Sequence, residues 1–153
     1  MSASAVRAVV DSNLLVRGVL GRRPTSVAVQ LHRAILLRRF RLVISDYILE
    51  EVRDVLASPE LKESGAPTAR VIDRILNALR LSAHVVPGAF EVNLVPADPK
   101  DNPIVACALE GDAEYIVTDD RRHLLPLGTV RVAGYRPVRV VSAFDFLRRE
   151  SIG

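Results

Sequence analysis

The sequence is poor in several things that would each point to a different kind of protein. It has one cysteine, Cys107, among 153 residues. One thiol forms no intrachain disulfide, which suits a reducing compartment. Cys107 is either a reactive thiol or a small apolar filler within the helical stretch IVACAL, and that apolar setting favours the filler. No apolar run reaches the roughly 18 residues of a membrane span, and the opening MSASAVRAVV lacks the length and cleavage pattern of a secretory leader. The expectation is a soluble, cytoplasmic protein. Aromatic side chains are scarce, with three Tyr, four Phe and no Trp, so no platform for stacking nucleobases is evident along the chain. A G-x-x-x-x-G-K-S/T loop is missing, which excludes a P-loop nucleotide hydrolase. There is no internal repeat, low-complexity tract or second-domain boundary.

Lysine is the last scarcity: 2 Lys stand against 19 Arg, for a net charge of +3 and a sequence pI near 9.5. An arginine excess suits a phosphate-rich partner. It equally suits a genome whose base composition favours Arg, Ala and Val codons.

What is present is 49% apolar and 25% charged, the balance of a folded globular chain. The length fits one domain, residues 1–153, around one core. AVRAVV (5–10) is apolar almost throughout, as a strand covered on both faces should be. A short helix follows over 14–20, then GRRP breaks it. VAVQLHRAILLRR (27–39) repeats its apolar residues at helical spacing, with Thr25 or Ser26 as cap. RLVIS is a second strand, and DYILEEVRDVLA a helix capped by Ser45 or Asp46. SPELKESGAP is a loop with room for a turn of helix. TARVIDRILNALRL is a further amphipathic helix, AHVV a third strand, and 87–103 a turn-rich connection. Pro103 suits the first turn of PIVACALEG, with Asn102 as its cap. EYIVT is a fourth strand, VRVA or VRVVS a fifth, and SAFDFLRRE a final helix. Alternating strands and helices predict an α/β fold: a three-layer α/β/α sandwich with a central parallel sheet of about five strands.

In open parallel sheets ligands gather outside the carboxyl ends of the strands, where strand order reverses. Asp11 ends strand one and Asp120 follows strand four, which would be neighbours at such a point. Asp101 opens the helix leading into strand four, where the helix dipole favours a negative charge. In DYILEEVRDVL, about 100° per residue puts Ile48, Val52 and Val55 on one stripe. Glu51 borders that stripe, while Glu50 points to water. Each acid has a plainer use: Asp11 as turn or cap, Asp101 and Asp120 in turns, Glu51 paired with an arginine. Together they can converge at one sheet end. Two such carboxylates 4 Å apart repel by about 4 kcal/mol at an effective dielectric of 20, so some are protonated or a cation lies among them. An all-oxygen set selects Mg²⁺ or Mn²⁺ over Zn²⁺.

These segments resemble the PIN domain, the nuclease fold of many bacterial and archaeal toxins of toxin–antitoxin systems. VVDSNLLVRGVL resembles the family's opening strand with its D-T-N signature. LVISDYILEEVRDVL resembles the segment bearing its glutamate, and DPKDNPIVACALEGDAEYIVTDDRRHLLPLG its pair of acids around a small-residue helix. The resemblance covers nearly the whole chain. It implies Asp11, Glu51, Asp101 and Asp120 as catalytic and metal-binding residues, with Asn13 supporting Asp11 and Thr118 steadying the last turn. Ser12 stands where Thr is commoner and keeps the hydroxyl. Asp119 stands where Gly is common and competes with Asp120 for the role; Asp98 competes with Asp101.

The implied activity is endoribonuclease cleavage by metal-activated water, with Mg²⁺ or Mn²⁺ as cofactor and Glu51 either a ligand or an orienter of water. The implied partners are an RNA substrate, a cognate antitoxin and a second copy of the chain in a homodimer. Arg121 and Arg122, directly after the acids, are candidates for substrate phosphate, and His123 could also contact RNA. Arg22 and Arg23, and Arg38, Arg39 and Arg41, are weaker candidates. His32 and His84 are assigned to surface or packing roles. Two rivals stand: an Mg²⁺-dependent phosphatase with Asp11 as nucleophile, although the D-x-D of such enzymes here has Asn13 third, and a non-catalytic RNA- or protein-binding module of the same fold.

Overall fold

The run before Asp11 is a strand. In the computed structural model, which describes residues 5–63, 67–92 and 101–152, it is β1 (Arg7–Val10), with Ala8, Val9 and Val10 all fully buried. Successive strand side chains point to opposite faces, so three buried in a row mean that both faces of β1 are covered. Leu42, Val43 and Ile44 of β2 (Arg41–Ser45) and Ile116 and Val117 of β4 (Tyr115–Val117) are buried in the same way. Such strands belong in a parallel sheet between helical layers.

The sheet has the order β3-β2-β1-β4-β6-β5, completed by β3 (Ala83–Val86), β5 (Thr129–Val130) and β6 (Val138–Val141). All neighbours are parallel except β5 with β6. The helices are α1 (Ser12–Leu20) and α2 (Val27–Leu36) after β1, and α3 (Asp46–Leu56), α4 (Pro59–Glu63) and α5 (Ala69–Ser82) after β2. Then come α6 (Asn102–Glu110) before β4 and α7 (Ala143–Arg149) after β6. The result is an α/β/α fold. Helix α6 lies on β1, β2 and β4, and α5 on β2 and β3.

Three details depart from the pattern read in the sequence. Among the described residues the sheet has six strands, because VRVVS supplies the parallel β6 while Thr129 and Val130 form an antiparallel edge strand. Two residues are too few for periodicity to reveal. Helix α2 ends at Leu36 because Arg38 turns into positive φ (55°) and donates its guanidinium to the Leu81 carbonyl, 3.1 Å away. Helix α6 begins at Asn102, so Asp101 rather than Asn102 holds the cap position, with no side-chain cap bond to the helix. Asp98 lies outside the described residues.

The two ends of the sheet differ in kind. At the amino ends of the strands, Phe146 meets Phe40 and Tyr115 edge to face, with ring centroids 4.9 and 5.2 Å away. The carboxyl ends carry polar residues. From β1 the chain builds β2 and β3 to one side, then returns to lay β4 on the other side of β1. That reversal opens a crevice over the carboxyl ends of β1 and β4, the place where open α/β sheets bind ligands.

Candidate metal centre

Register sets the crevice. Val10 pairs with Val117, so Asp11 and Thr118 emerge side by side, and the Asp11 amide donates to the Val117 carbonyl at 3.1 Å. Asp11 caps α1: its Oδ1 accepts the amides of Asn13 (2.9 Å) and Leu14 (3.2 Å), orphan donors of a first helical turn. Its Oδ2 accepts the hydroxyl of the fully buried Thr118. The Thr118 oxygen also accepts the Asp120 amide at 3.0 Å. Asp120 Oδ1 in turn accepts the amides of Arg122 and His123, at 3.0 and 3.1 Å. This turn folds His123 back on its own acid, with Nδ1 3.7 Å from Asp120 Oδ2.

The cap position of α6 brings in Asp101. Among the described residues, ligand atoms of Asp101, Asp120 and His123 all lie within 4.8 Å of one another. Two ligands of one divalent ion sit at most about 4.2–4.4 Å apart, twice a bond of roughly 2.1–2.2 Å, so small rotamer adjustments would close the set. Two carboxylate oxygens and one imidazole nitrogen are chemically sound donors for Mn²⁺, while Mg²⁺, which prefers oxygen, would use the two carboxylates and water. Asp101 Oδ2 is sealed from solvent, in the low-dielectric setting where an added cation counts most. The residues present therefore fit a divalent cation.

The four acids expected to converge do so unequally. Asp101 and Asp120 fall in the triplet; Asp11 and Glu51 do not. Asp11 is held by the helix amides and reaches Asp120 through Thr118. Glu51 is half-buried on α3, with Oε1 shielded from water, while Glu50 is exposed and 3.9 Å from Arg53. His123 is the addition that sequence reasoning did not make. The signal was the spacing D-x-x-H, which a side-chain turn at Asp120 converts into contact.

The remaining candidates separate by position. Asp119 is outside the triplet and pairs with Arg17 at 2.8 Å. Arg121 and Arg122 are exposed beside Asp120. Arg38, Arg39 and Arg41 stand at or just before the amino end of β2, at the opposite end of the strands from the acids. Asn13 is exposed, and supports Asp11 with its backbone amide. Cys107 is buried on α6, and burial pushes its thiol up to about 12. It is a packed side chain and not a nucleophile. No helix among the described residues is long and apolar enough to cross a membrane.

A family model described as PIN domain matches residues 7–122, a span that holds Asp11, Glu51, Asp101 and Asp120 and stops one residue short of His123. No curated protein matches the chain. PIN domains are generally nucleases that work with divalent metal ions, in keeping with an acidic cluster at the switch point of this sheet. By that match and this architecture, the chain belongs to the PIN-domain family.

Proposed function

We propose that the chain is an endoribonuclease that cuts single-stranded RNA with Mg²⁺ or Mn²⁺, and that it is the toxin of a toxin–antitoxin pair. The observation that carries the reading is the approach of Asp101, Asp120 and His123 within 4.8 Å of one another, next to Asp11 and over the carboxyl ends of β1 and β4. A divalent ion held there would supply a more acidic water and offset the charge that grows on the phosphate oxygens. Asp101 and Asp120 would hold the ion, with His123 joining them. Asp11, held by the helix amides and the Thr118 hydroxyl, lies beside them at the end of β1. Glu51 is a further ligand or orients the attacking water. Arg121 and Arg122 hold flanking phosphates of the strand.

Both oxygens of Asp11 accept hydrogen bonds, which makes it a poor nucleophile and argues against the phosphatase reading. A purely binding role is opposed by charge, because carboxylates without a cation repel phosphate. The test is cleavage of end-labelled single-stranded RNA with Mg²⁺, Mn²⁺ or EDTA, with single-stranded DNA of the same sequence as control. The expected result is metal-dependent cutting of RNA by the parent and loss of at least about a hundredfold in rate in Asp11→Asn and Asp120→Asn, about 3 kcal/mol of barrier. Equal rates in parent and variants would remove these acids from the reaction.

The toxin reading is supported by membership of a family that includes many such toxins, and it carries with it a cytoplasmic location, an antitoxin as inhibitor and a homodimer as the assembled form. Induced expression should arrest growth, and co-expression of a small protein encoded in the neighbouring reading frame should relieve it. Continued growth without that partner would overturn the toxin role and leave the nuclease untouched.

A further inference from the structure

Helix α6 starts at the metal centre and carries a groove away from it. Asn102, directly after Asp101, begins the floor; Pro103, Ala106 and Glu110 continue it along one face of the helix, and Tyr47 and Phe90 form its walls. The groove encloses about 380 Å³, within the roughly 300–1,000 Å³ of sites that take up small organic groups. From Pro103 to Glu110 it runs about 10 Å, at 1.5 Å per residue.

The groove's chemistry is unlike that of a phosphate site. Among the described residues its charged lining is Glu91 and Glu110, with no arginine or lysine. Phosphate would be repelled. A neutral ring with N–H donors would be welcome, because carboxylates accept from exocyclic amines. The chain has few aromatic residues, yet three of them gather near this groove. Tyr47 is 43% exposed, Phe90 37% and Tyr135 43%, and Phe90 meets Tyr135 edge to face at 5.8 Å. The Phe90 wall is fixed from behind, since Glu110 Oε1 accepts the amides of Ala89 and Phe90 at 2.9 and 3.3 Å. Unstacked bases of single-stranded RNA are recognised by stacking on such side chains and by hydrogen bonds to their edges.

We propose that this groove is a nucleobase subsite, which takes an unstacked base of the nucleotide flanking the phosphate at the metal centre. The inference rests on the nuclease reading and adds to it how the strand is aligned. Exposed arginines 121 and 122 hold backbone, and the acidic, aromatic groove along α6 holds a base. Division of labour between a cationic lip and an uncharged-ligand groove fixes which phosphate meets the acids.

The test uses the full chain and two short fluorescein-labelled single-stranded RNAs of equal length, one base-bearing and one abasic. Binding is followed by anisotropy in EDTA, and cleavage with Mn²⁺. Tyr47 and Phe90 are both more than a third exposed, so truncating them spares the core. The base-bearing RNA should bind about tenfold more tightly than the abasic one, the order of one stacking contact. Tyr47→Ala with Phe90→Ala should erase that preference, raise KM about tenfold and scatter the cut positions, while Tyr47→Phe keeps all three. If parent and double variant bind base-bearing RNA equally, the groove proposal is overturned, and the groove belongs to another occupant such as a peptide. Cutting by the parent with KM unchanged in the double variant would overturn it while the nuclease stands. Base-dependent binding with no cutting in Mn²⁺ would support the groove while the nuclease reading falls.

Discussion

Thr118 and Asp11, 107 residues apart in the chain, are joined by a hydrogen bond from the threonine hydroxyl to Asp11 Oδ2. The same hydroxyl oxygen accepts the Asp120 amide. One buried side chain thus sets the orientation of two acids from neighbouring strands, and its backbone amide is itself tied to Val141 of β6.

Thr118→Val keeps the shape and removes both bonds. It leaves the buried Asp11 oxygen and the Asp120 amide short of a partner, a loss of about 1–3 kcal/mol. Urea unfolding should show that loss, with Thr118→Ser close to the parent. RNA cleavage should fall in Thr118→Val and survive in Thr118→Ser. Full activity in the valine variant would mean that the acids find their positions without the threonine.

Asp101 and Asp120 stand close enough to repel when no cation is bound, although solvent weakens the effect at Asp120, whose side chain is 27% exposed. Asp120→Asn removes one charge and keeps an oxygen for the amides of Arg122 and His123. In EDTA its melting temperature should equal or exceed the parent's. Millimolar Mn²⁺ should raise the parent's melting temperature by linkage and leave the variant's unchanged. A parent that ignores Mn²⁺ would contradict the metal centre itself.

Much of this could be read before the fold was seen, for identifiable reasons. Asp11 ends a run buried on both faces, and β1 and β4 are the neighbours on which the crevice argument depends. Helical period separated Glu51 from Glu50, and burial separates them in the same sense. What was not legible came from long-range pairing and from very local turns. No pattern links Arg17 to Asp119, 102 residues apart, yet that ion pair takes Asp119 away from the triplet. His123 joins the acids through a side-chain turn that has no periodicity. The three aromatic residues near the α6 groove lie at positions 47, 90 and 135, too far apart to suggest a shared surface. Arg121 and Arg122 stood apart from Arg22 and Arg23 in sequence only because they directly follow the acids, and the fold leaves both of them exposed beside Asp120.

Gly111 ends α6 where the helix comes down on β2. A Cβ there would lie 2.2 Å from Val43 Cγ1 and 3.2 Å from Val86 Cγ1. The glycine has an ordinary φ of −89°, so contact and not backbone strain is what forbids a side chain. Gly111→Ala should cost about 1–3 kcal/mol, the range for overpacking a filled core. Val43→Ala in the same chain should recover part of it. A double variant no more stable than the sum of its parts would show that the clash is relieved elsewhere.

His32 lies on α2 where that helix crosses α1. A Cβ on Gly18 would come within 2.9 Å of His32 Cβ, so the helices touch there. The His32 Nδ1 is buried without a hydrogen-bond partner. Burial holds its pKa below the ordinary 6.5, because the charged ring loses more hydration than the neutral one. Between that lowered value and 6.5 the unfolded chain binds a proton here that the folded chain does not. Stability from this residue is therefore complete above about pH 6.5 and is lost as pH falls through the window, by at most about 1.4 kcal/mol per pH unit. Urea unfolding at pH 7.5 and pH 5.0 should show a smaller difference in His32→Phe than in the parent. If the two proteins lose stability in parallel as the pH falls, another group carries the acid sensitivity and the ring between α1 and α2 takes no part in it.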